Sequence, residues 1–253
     1  MISIRSEFVR VKRKIRRCYY AGLSHENKPG GIAVTFDDAF VDEWHALREM
    51  LNRYNAKVTF FVSHFNRLGQ YSIDKLKALR DDGHEIGFHG LKHLNAVKFM
   101  ESRPIEQYMN EEILPGIEMM SGHGLPPRNF SYPYGAHSPE LDKHLLKHFD
   151  YVRGTLLTNV KTRFPDLDSI YYKRGDKRVI YGAGLDNSYR NDIYEIQQGL
   201  KRASGKKETL IVYAHEPANK PGDYCTPISK LEEVFRHAQK AELRFCTIQT
   251  LGG

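Results

Sequence analysis

The side chains of this sequence best suited to hold a cation and move protons are two adjacent carboxylates, Asp37 and Asp38, a histidine pair four residues apart, His89 and His93, and a later histidine, His215. Each follows a short apolar run. Ile32 to Phe36 precedes the aspartates, His84 to Phe88 precedes His89, and Thr209 to Ala214 precedes His215. A fourth run, Asn129 to Tyr132, leads into Pro133-Tyr134-Gly135. Two imidazoles and one carboxylate, with a position left for water, is an arrangement of catalytic zinc, and Asp38 is the natural third ligand. Two charges side by side after an apolar strand need separate partners. If Asp38 holds a cation, Asp37 is free to take a proton from water held there. Capping of the following helix would explain one aspartate and leaves the second unexplained. A histidine at a strand end titrates near neutral pH and can serve as a general acid. The other pair at this spacing, His144 and His148, falls in an amphipathic stretch with Leu141, Leu145 and Leu146, where surface histidines are ordinary. His64 reads as a solvated loop histidine.

The elements that must position these groups alternate. Phe40, Trp44, Leu47, Leu51 and Tyr54 fall on one helical face after the first strand. Lys57 to Val62 is the second strand. Ser72 caps a helix carrying Ile73, Leu76 and Leu79 that Gly83 ends. His84 to Phe88 is the third strand. Ser102 and Pro104 open a helix that Pro115 should kink or divide in two. Asn129 to Tyr132 is the fourth strand, and Ser138-Pro139 starts a helix running to about Phe149. Tyr151–Thr155, Lys177–Tyr181, Thr209–Ala214 and Arg244–Ile248 are further strands, with a helix start at Thr226-Pro227. Repeated β-then-α order calls for a parallel sheet or barrel, whose strands open their carboxyl ends on one face. Residues scattered over the chain thereby converge on one pocket.

A chain of 253 residues suits one α/β barrel. The formal charge of +7 is concentrated at the start: seven Lys and Arg against one Glu give the first seventeen residues a net +6. The expected organisation is a basic arm, residues 1–29, and a single domain, residues 30–253. The arm could meet anionic membrane lipid, although a solvated helical lead-in is the plainer reading. The body shows no basic face, so nucleic-acid binding is not expected. No apolar run approaches the length of a membrane span or a signal-peptide core. Cys18, Cys225 and Cys246 are odd in number and unpaired in spacing, which suits reduced thiols and a cytoplasmic location, with membrane contact limited to the periphery.

Thr35-Phe36-Asp37-Asp38, the His89/His93 pair, Pro133-Tyr134 and the late His215 together resemble the NodB-homology polysaccharide deacetylases, carbohydrate esterase family 4, over about residues 30–250. The resemblance implies a distorted (β/α) barrel of about seven parallel strands. It implies Asp37 as catalytic base, a divalent metal, usually Zn2+, on Asp38, His89 and His93, and His215 as catalytic acid. The backbone N–H of Tyr134 would help hold the oxyanion. The substrate would be an N-acetylated sugar or glycan precursor, as in surface polysaccharide biosynthesis. Removal of O-acetyl groups, another amidase reaction, or a silent carbohydrate-binding relative stay open as alternatives. Two departures stand out. Ser131 occupies the position of the family's third-motif arginine, and Arg128, Arg174 and Arg178 are candidates to supply the charge from elsewhere; Arg178, at a strand start, is the expected one. Trp44 is the only tryptophan, so the usual Asp-Trp motif is absent, and Asp186 is expected to orient His215 instead.

Overall fold

The apolar runs close into a ring of seven parallel strands. The computed structural model describes residues 29–156, 163–189 and 191–251. The basic arm up to residue 28, Cys18 included, lies outside the described residues. The strands are β1 (Gly31–Asp38), β2 (Thr59–Val62), β3 (Glu85–Phe88), β4 (Asn129–Ser131), β5 (Tyr151–Leu156), β6 (Val179–Gly184) and β7 (Thr209–Ala214). They pair in chain order, and β7 returns to β1 with Gly31 opposite Thr209 and Phe36 opposite Ala214. Of the parallel sheet or barrel that the alternation allows, this is the barrel, the distorted (β/α) form that the resemblance implies.

Its distortion has a visible cause. β2 joins β1 only from Thr35 onward, and β6 meets β7 only at Ala183 and Gly184. The amino-terminal edges left over are filled by short pieces. Arg244–Phe245 runs parallel to the start of β1, and Tyr171–Tyr172 runs antiparallel to the start of β7. The expected strand Arg244–Ile248 therefore stops after two residues and turns into a 3₁₀ helix at Ile248–Thr250.

Period-two alternation separates the two faces of each strand. On β1, Ile32, Val34 and Phe36 join the large outer core beneath the helices, while Ala33 joins a smaller cluster inside the barrel with Phe61, Ile180 and Ile211. Phe36, Phe60 and Trp44 stack in the outer core, with ring centroids 5.3 and 5.2 Å apart. Beside the inner apolar cluster, which Ile248 and Leu251 of the last turn complete, one buried acid has its hydrogen bonds satisfied. Buried Glu85 accepts hydrogen bonds from Asn129 Nδ2 (2.5 Å), Thr59 Oγ1 (2.9 Å) and the Gln249 N–H (2.9 Å), which pins the carboxy-terminal turn across the barrel floor.

Several helix boundaries differ from the sequence reading. The stretch from Phe40 to Tyr54 is two helices, Val41–Ala46 and Arg48–Arg53, broken at Leu47. The helix expected to start at Ser72 begins at Gln70, with Gly69 as its cap. Ahead of Pro115, whose nitrogen cannot donate, the chain widens into a π turn at Met109–Ile113 between Ile105–Tyr108 and Leu114–Gly122. Ser138 does cap its helix, accepting from the Leu141 N–H at 3.3 Å, but that helix ends at Leu145. The sixth strand lies two residues later than Lys177–Tyr181 suggests.

Candidate active site and metal centre

Asp37 continues the inward-facing series Ala33, Thr35, and is 2 % exposed at the barrel mouth. Asp38, its neighbour on the strand, would ordinarily point to the other face. Its φ of 82° turns it back, so both aspartates line the same cleft. His93 (φ 56°) and Tyr134 (φ 61°) are likewise left-handed without being glycine. Such conformations are sterically costly and concentrate at functional sites.

His89, at the end of β3, donates from Nδ1 to the Ser131 carbonyl at 2.8 Å, which leaves its Nε2 lone pair facing the cleft. His89 Nε2 and His93 Nε2 lie 3.3 Å apart. Asp38 Oδ1 is 3.6 Å from the first and 3.1 Å from the second. Burial pushes the His89 imidazolium down to about 4 despite the nearby carboxylates, so the neutral, ligating form prevails at pH 7. Burial would raise the Asp38 carboxyl; the hydrogen bond from His93 and the charges of His89, His215 and His93 outweigh it and hold the group at about 2. A tetrahedral cation with bonds of ~2.0–2.2 Å needs ligand atoms roughly 3.3–3.6 Å apart. These three residues fit a divalent metal, and they are the only such group of histidine, cysteine and carboxylate side chains among the described residues.

Opposite the trio, His215 follows β7. Its Nδ1 donates to Asp186 Oδ2 at 2.6 Å, and its backbone N–H reaches Asp186 Oδ1 at 3.1 Å. Thr226 Oγ1 donates to the same Oδ1 at 2.5 Å. The hydroxyl expected to open a helix is thus spent on Asp186, and the helix starts at Ile228 behind Pro227. Burial lowers the His215 pKa, but the Asp186 hydrogen bond and charge, aided by Asp37 and Asp38, carry it above the ordinary value. Trp44 Nε1 donates to the His215 carbonyl at 3.1 Å, so the lone tryptophan fixes the histidine from the outer core.

The arginine of the site is Arg153, which the sequence reading missed. It stands on the inner face of β5, directly opposite Ser131 of β4 in the ladder. Its side chain is fully buried and its Nη2 donates to Asp37 Oδ2 and to Ser131 Oγ. The guanidinium sits over the rings of Tyr213 (4.8 Å) and Phe61 (5.5 Å). A small serine on one strand leaves space for an arginine from the next.

Arg178 does not belong to the site. It lies just ahead of β6, at the opposite end of the barrel, and donates to the carbonyls of Asp150 (2.6 Å), Leu146 (3.0 Å) and Phe149 (2.5 Å). A cation there suits the carboxyl end of the helix Pro139–Leu145. Arg128 pairs with Asp150 at 2.6 Å on the surface, and Arg174 is exposed in the loop before β6. His64 packs beside His93, with ring centroids 6.0 Å apart, but is not one of the clustered donors. His144 donates to the Glu140 carbonyl within its own helix, and His148 is exposed.

Tyr134 sits in a turn held from two sides. Tyr132 OH donates to Asp142 Oδ1 at 2.7 Å, and Gly135 (φ 65°) packs so tightly that a Cβ there would lie 1.9 Å from Thr155 Oγ1. The Tyr134 ring meets His93 at 4.8 Å, and the Tyr224 ring meets His215 at 5.2 Å. Both tyrosines are mostly exposed and line a cleft of about 400 Å³ that also holds Asp37, Asp38, His89, His93 and His215.

Residues 24–151 match the family model described as polysaccharide deacetylase. No curated protein matches the chain significantly. Among solved structures, it is similar to the chitin deacetylase of the fungal pathogen Colletotrichum lindemuthianum (15 % identity, TM-score 0.59, 90 % of this chain and 89 % of that one). It is also similar to a family 4 carbohydrate esterase from Streptomyces lividans in complex with acetate (16 %, 0.56, 88 % and 95 %). A peptidoglycan deacetylase from Bacillus subtilis is a third (17 %, 0.55, 88 % and 90 %). At these identities the likeness is one of fold.

Proposed function

The chain belongs to the polysaccharide deacetylase family, hydrolases acting on acetylated sugars, and from that premise we propose that it is a metal-dependent hydrolase removing N-acetyl groups from an amino sugar within a glycan or glycan precursor. The observation that carries this reading is the arrangement of three units around one cleft: Asp38 with His89 and His93, Asp37 with Arg153, and His215 with Asp186.

Asp38, His89 and His93 would hold the cation, with zinc the first choice for a donor set of two imidazoles and one carboxylate. When bound there, it supplies a Lewis acid for the acetyl carbonyl and the attacking water. Asp37 is the base. Arg153 fixes its Oδ2, and that oxygen, 4.0 Å from His89 Nε2, stands beside the ligand trio, where it can take the proton of the attacking water. Arg153 thereby fills the place of the arginine that Ser131 replaces.

His215 is the acid. Asp186 occupies Nδ1, so Nε2 is the atom that delivers a proton to the departing amine. The raised pKa keeps that proton in place further into the neutral range. The backbone N–H of Tyr134, in its constrained turn, would share the oxyanion charge. The exposed faces of Tyr134 and Tyr224 offer apolar platforms for sugar rings on either side. The net +6 of the first seventeen residues supports a peripheral contact with anionic lipid, where a lipid-linked precursor would be met.

Acetate release from N-acetylated and O-acetylated oligosaccharides, with and without added zinc, tests this reading. Preferential release from N-acetylated substrates supports it; release confined to O-acetyl esters would replace it with an esterase reading.

A further inference from the structure

Buried carboxylates need partners, and one of them serves neither the cleft nor the barrel floor. Glu112 lies in the π turn Met109–Ile113 with no exposed surface. Its Oε2 accepts the Lys92 N–H at 2.9 Å and its Oε1 accepts the Leu94 N–H at 3.1 Å. These two amides bracket His93. The carboxylate therefore clamps the backbone on both sides of a residue held at a left-handed φ of 56°.

The loop is shaped to admit this clamp. Gly90 has a φ of 85°, and a Cβ there would lie 2.5 Å from Glu112 Oε1. The approach of the carboxylate thus requires the glycine. Charge-assisted bonds to backbone amides are among the stronger hydrogen bonds, and two of them on one carboxylate fix orientation as well as distance. Among the described residues these are the hydrogen bonds that the amides flanking His93 make, and His93 Nε2 stands 3.1 Å from Asp38 and 3.3 Å from His89.

We propose that Glu112 is a positioning residue that presets His93 for the divalent cation by clamping the amides of Lys92 and Leu94. The inference rests on the metal-site reading above and names the residue that sets that site's affinity. Groups that orient ligands from behind typically contribute roughly 10–100-fold to metal affinity.

The test is zinc titration of the metal-free full chain, in the wild type, E112Q, G90A and E111Q, alongside cobalt(II) absorption spectra and thermal melts. Glutamine at 112 presents an N–H to one of the two amides, and Gly90→Ala forces the carboxylate away. Both should weaken zinc binding roughly 10–100-fold and alter the cobalt spectrum. Glu111 is the adjacent residue, reaching the side chains of Lys92 and Arg103 at 3.7 and 3.9 Å. E111Q should bind zinc as the wild type does. If E112Q fails to fold, G90A carries the test. Wild-type affinity in a folded E112Q or in G90A, with only the melting temperature lowered, would overturn the proposal and leave a merely structural carboxylate. Failure of the wild type itself to bind zinc would instead remove the metal-site reading.

Discussion

Arg153 on β5 reaches across the barrel interior to donate to one carboxylate oxygen of Asp37 on β1, and the other oxygen of Asp37 is buried without a hydrogen-bond partner among the described residues. The contact holds the carboxylate beside the ligand trio, its Oδ2 4.0 Å from His89 Nε2. It also makes the pair costly to break, because both side chains are essentially inaccessible to water.

Removing the guanidinium by Arg153→Met should destabilise the fold by about 3–5 kcal/mol, the usual cost of leaving a buried charge unpaired. Acetate release should collapse with it. Arg178→Met should leave turnover within about twofold of wild type, because that arginine serves carbonyls far from the cleft. Urea denaturation and acetate assays on the two variants separate these outcomes; comparable catalytic losses in both would contradict the assignment of Arg153.

Asp37→Asn keeps the shape of the side chain and removes its ability to accept a proton from water. Zinc affinity should change little, since Asp37 lies outside the ligand trio. Turnover should fall by about 10²–10⁴-fold, the range for a general base. A zinc-loaded variant with wild-type turnover would refute the base role.

The pH dependence follows from the Asp186–His215 pair. Burial alone would lower the His215 pKa, and the Asp186 partner turns the shift upward. The active, protonated acid exists below that pKa, so Asp186→Asn should move the alkaline limb of kcat/KM to lower pH. The same linkage gives stability that is fully present below the unfolded value near 6.5 and is lost as pH rises through the higher folded value. The variant should therefore lose relatively more stability on the acidic side. Matching pH–rate profiles for wild type and Asp186→Asn would show that the carboxylate does not tune the acid.

The Tyr134 turn can be tested through glycine chemistry. Gly135→Ala combines a φ of 65° with a clash against Thr155, and should lower both stability and turnover. Gly122, in the helix Leu114–Gly122, meets nothing within 4 Å, so Gly122→Ala should be neutral or stabilising by about 0.5–1 kcal/mol. Thermal melts and acetate assays read both variants; full activity in Gly135→Ala would argue that the turn does not set the oxyanion donor.

How much of this was legible in the sequence depended on whether the signal was local. A histidine or aspartate directly after an apolar run announces its place at a barrel mouth, which is why the ends of β1, β3 and β7 could be found. Arg153 carries no such mark. It sits mid-strand between Val152 and Gly154, and its role comes from the ladder that sets it opposite Ser131. A lone charge inside an otherwise apolar strand was the available signal, since such a group must find a buried partner. Trp44 illustrates the same limit: its helical spacing predicts a core residue, but only the folded chain shows its indole N–H on the His215 carbonyl. Thr226 and Glu112 are invisible for a similar reason, as a hydroxyl before a proline and a helical glutamate have ordinary local explanations. Pro115 marks an interruption of its helix in the sequence, but the form it takes, a π turn at Met109–Ile113, and the break at Leu47 are not encoded in the periodicity.

The measurement that bears most directly on the account is acetate release from an N-acetylated oligosaccharide by the purified chain before metal removal, after treatment with chelator, and after zinc is returned. The account predicts release that stops on chelation and recovers with zinc, and that stays absent in His89→Ala under all three conditions. Release that continues in the stripped protein or in His89→Ala, or no release from any acetylated sugar by the zinc-loaded chain, would contradict it.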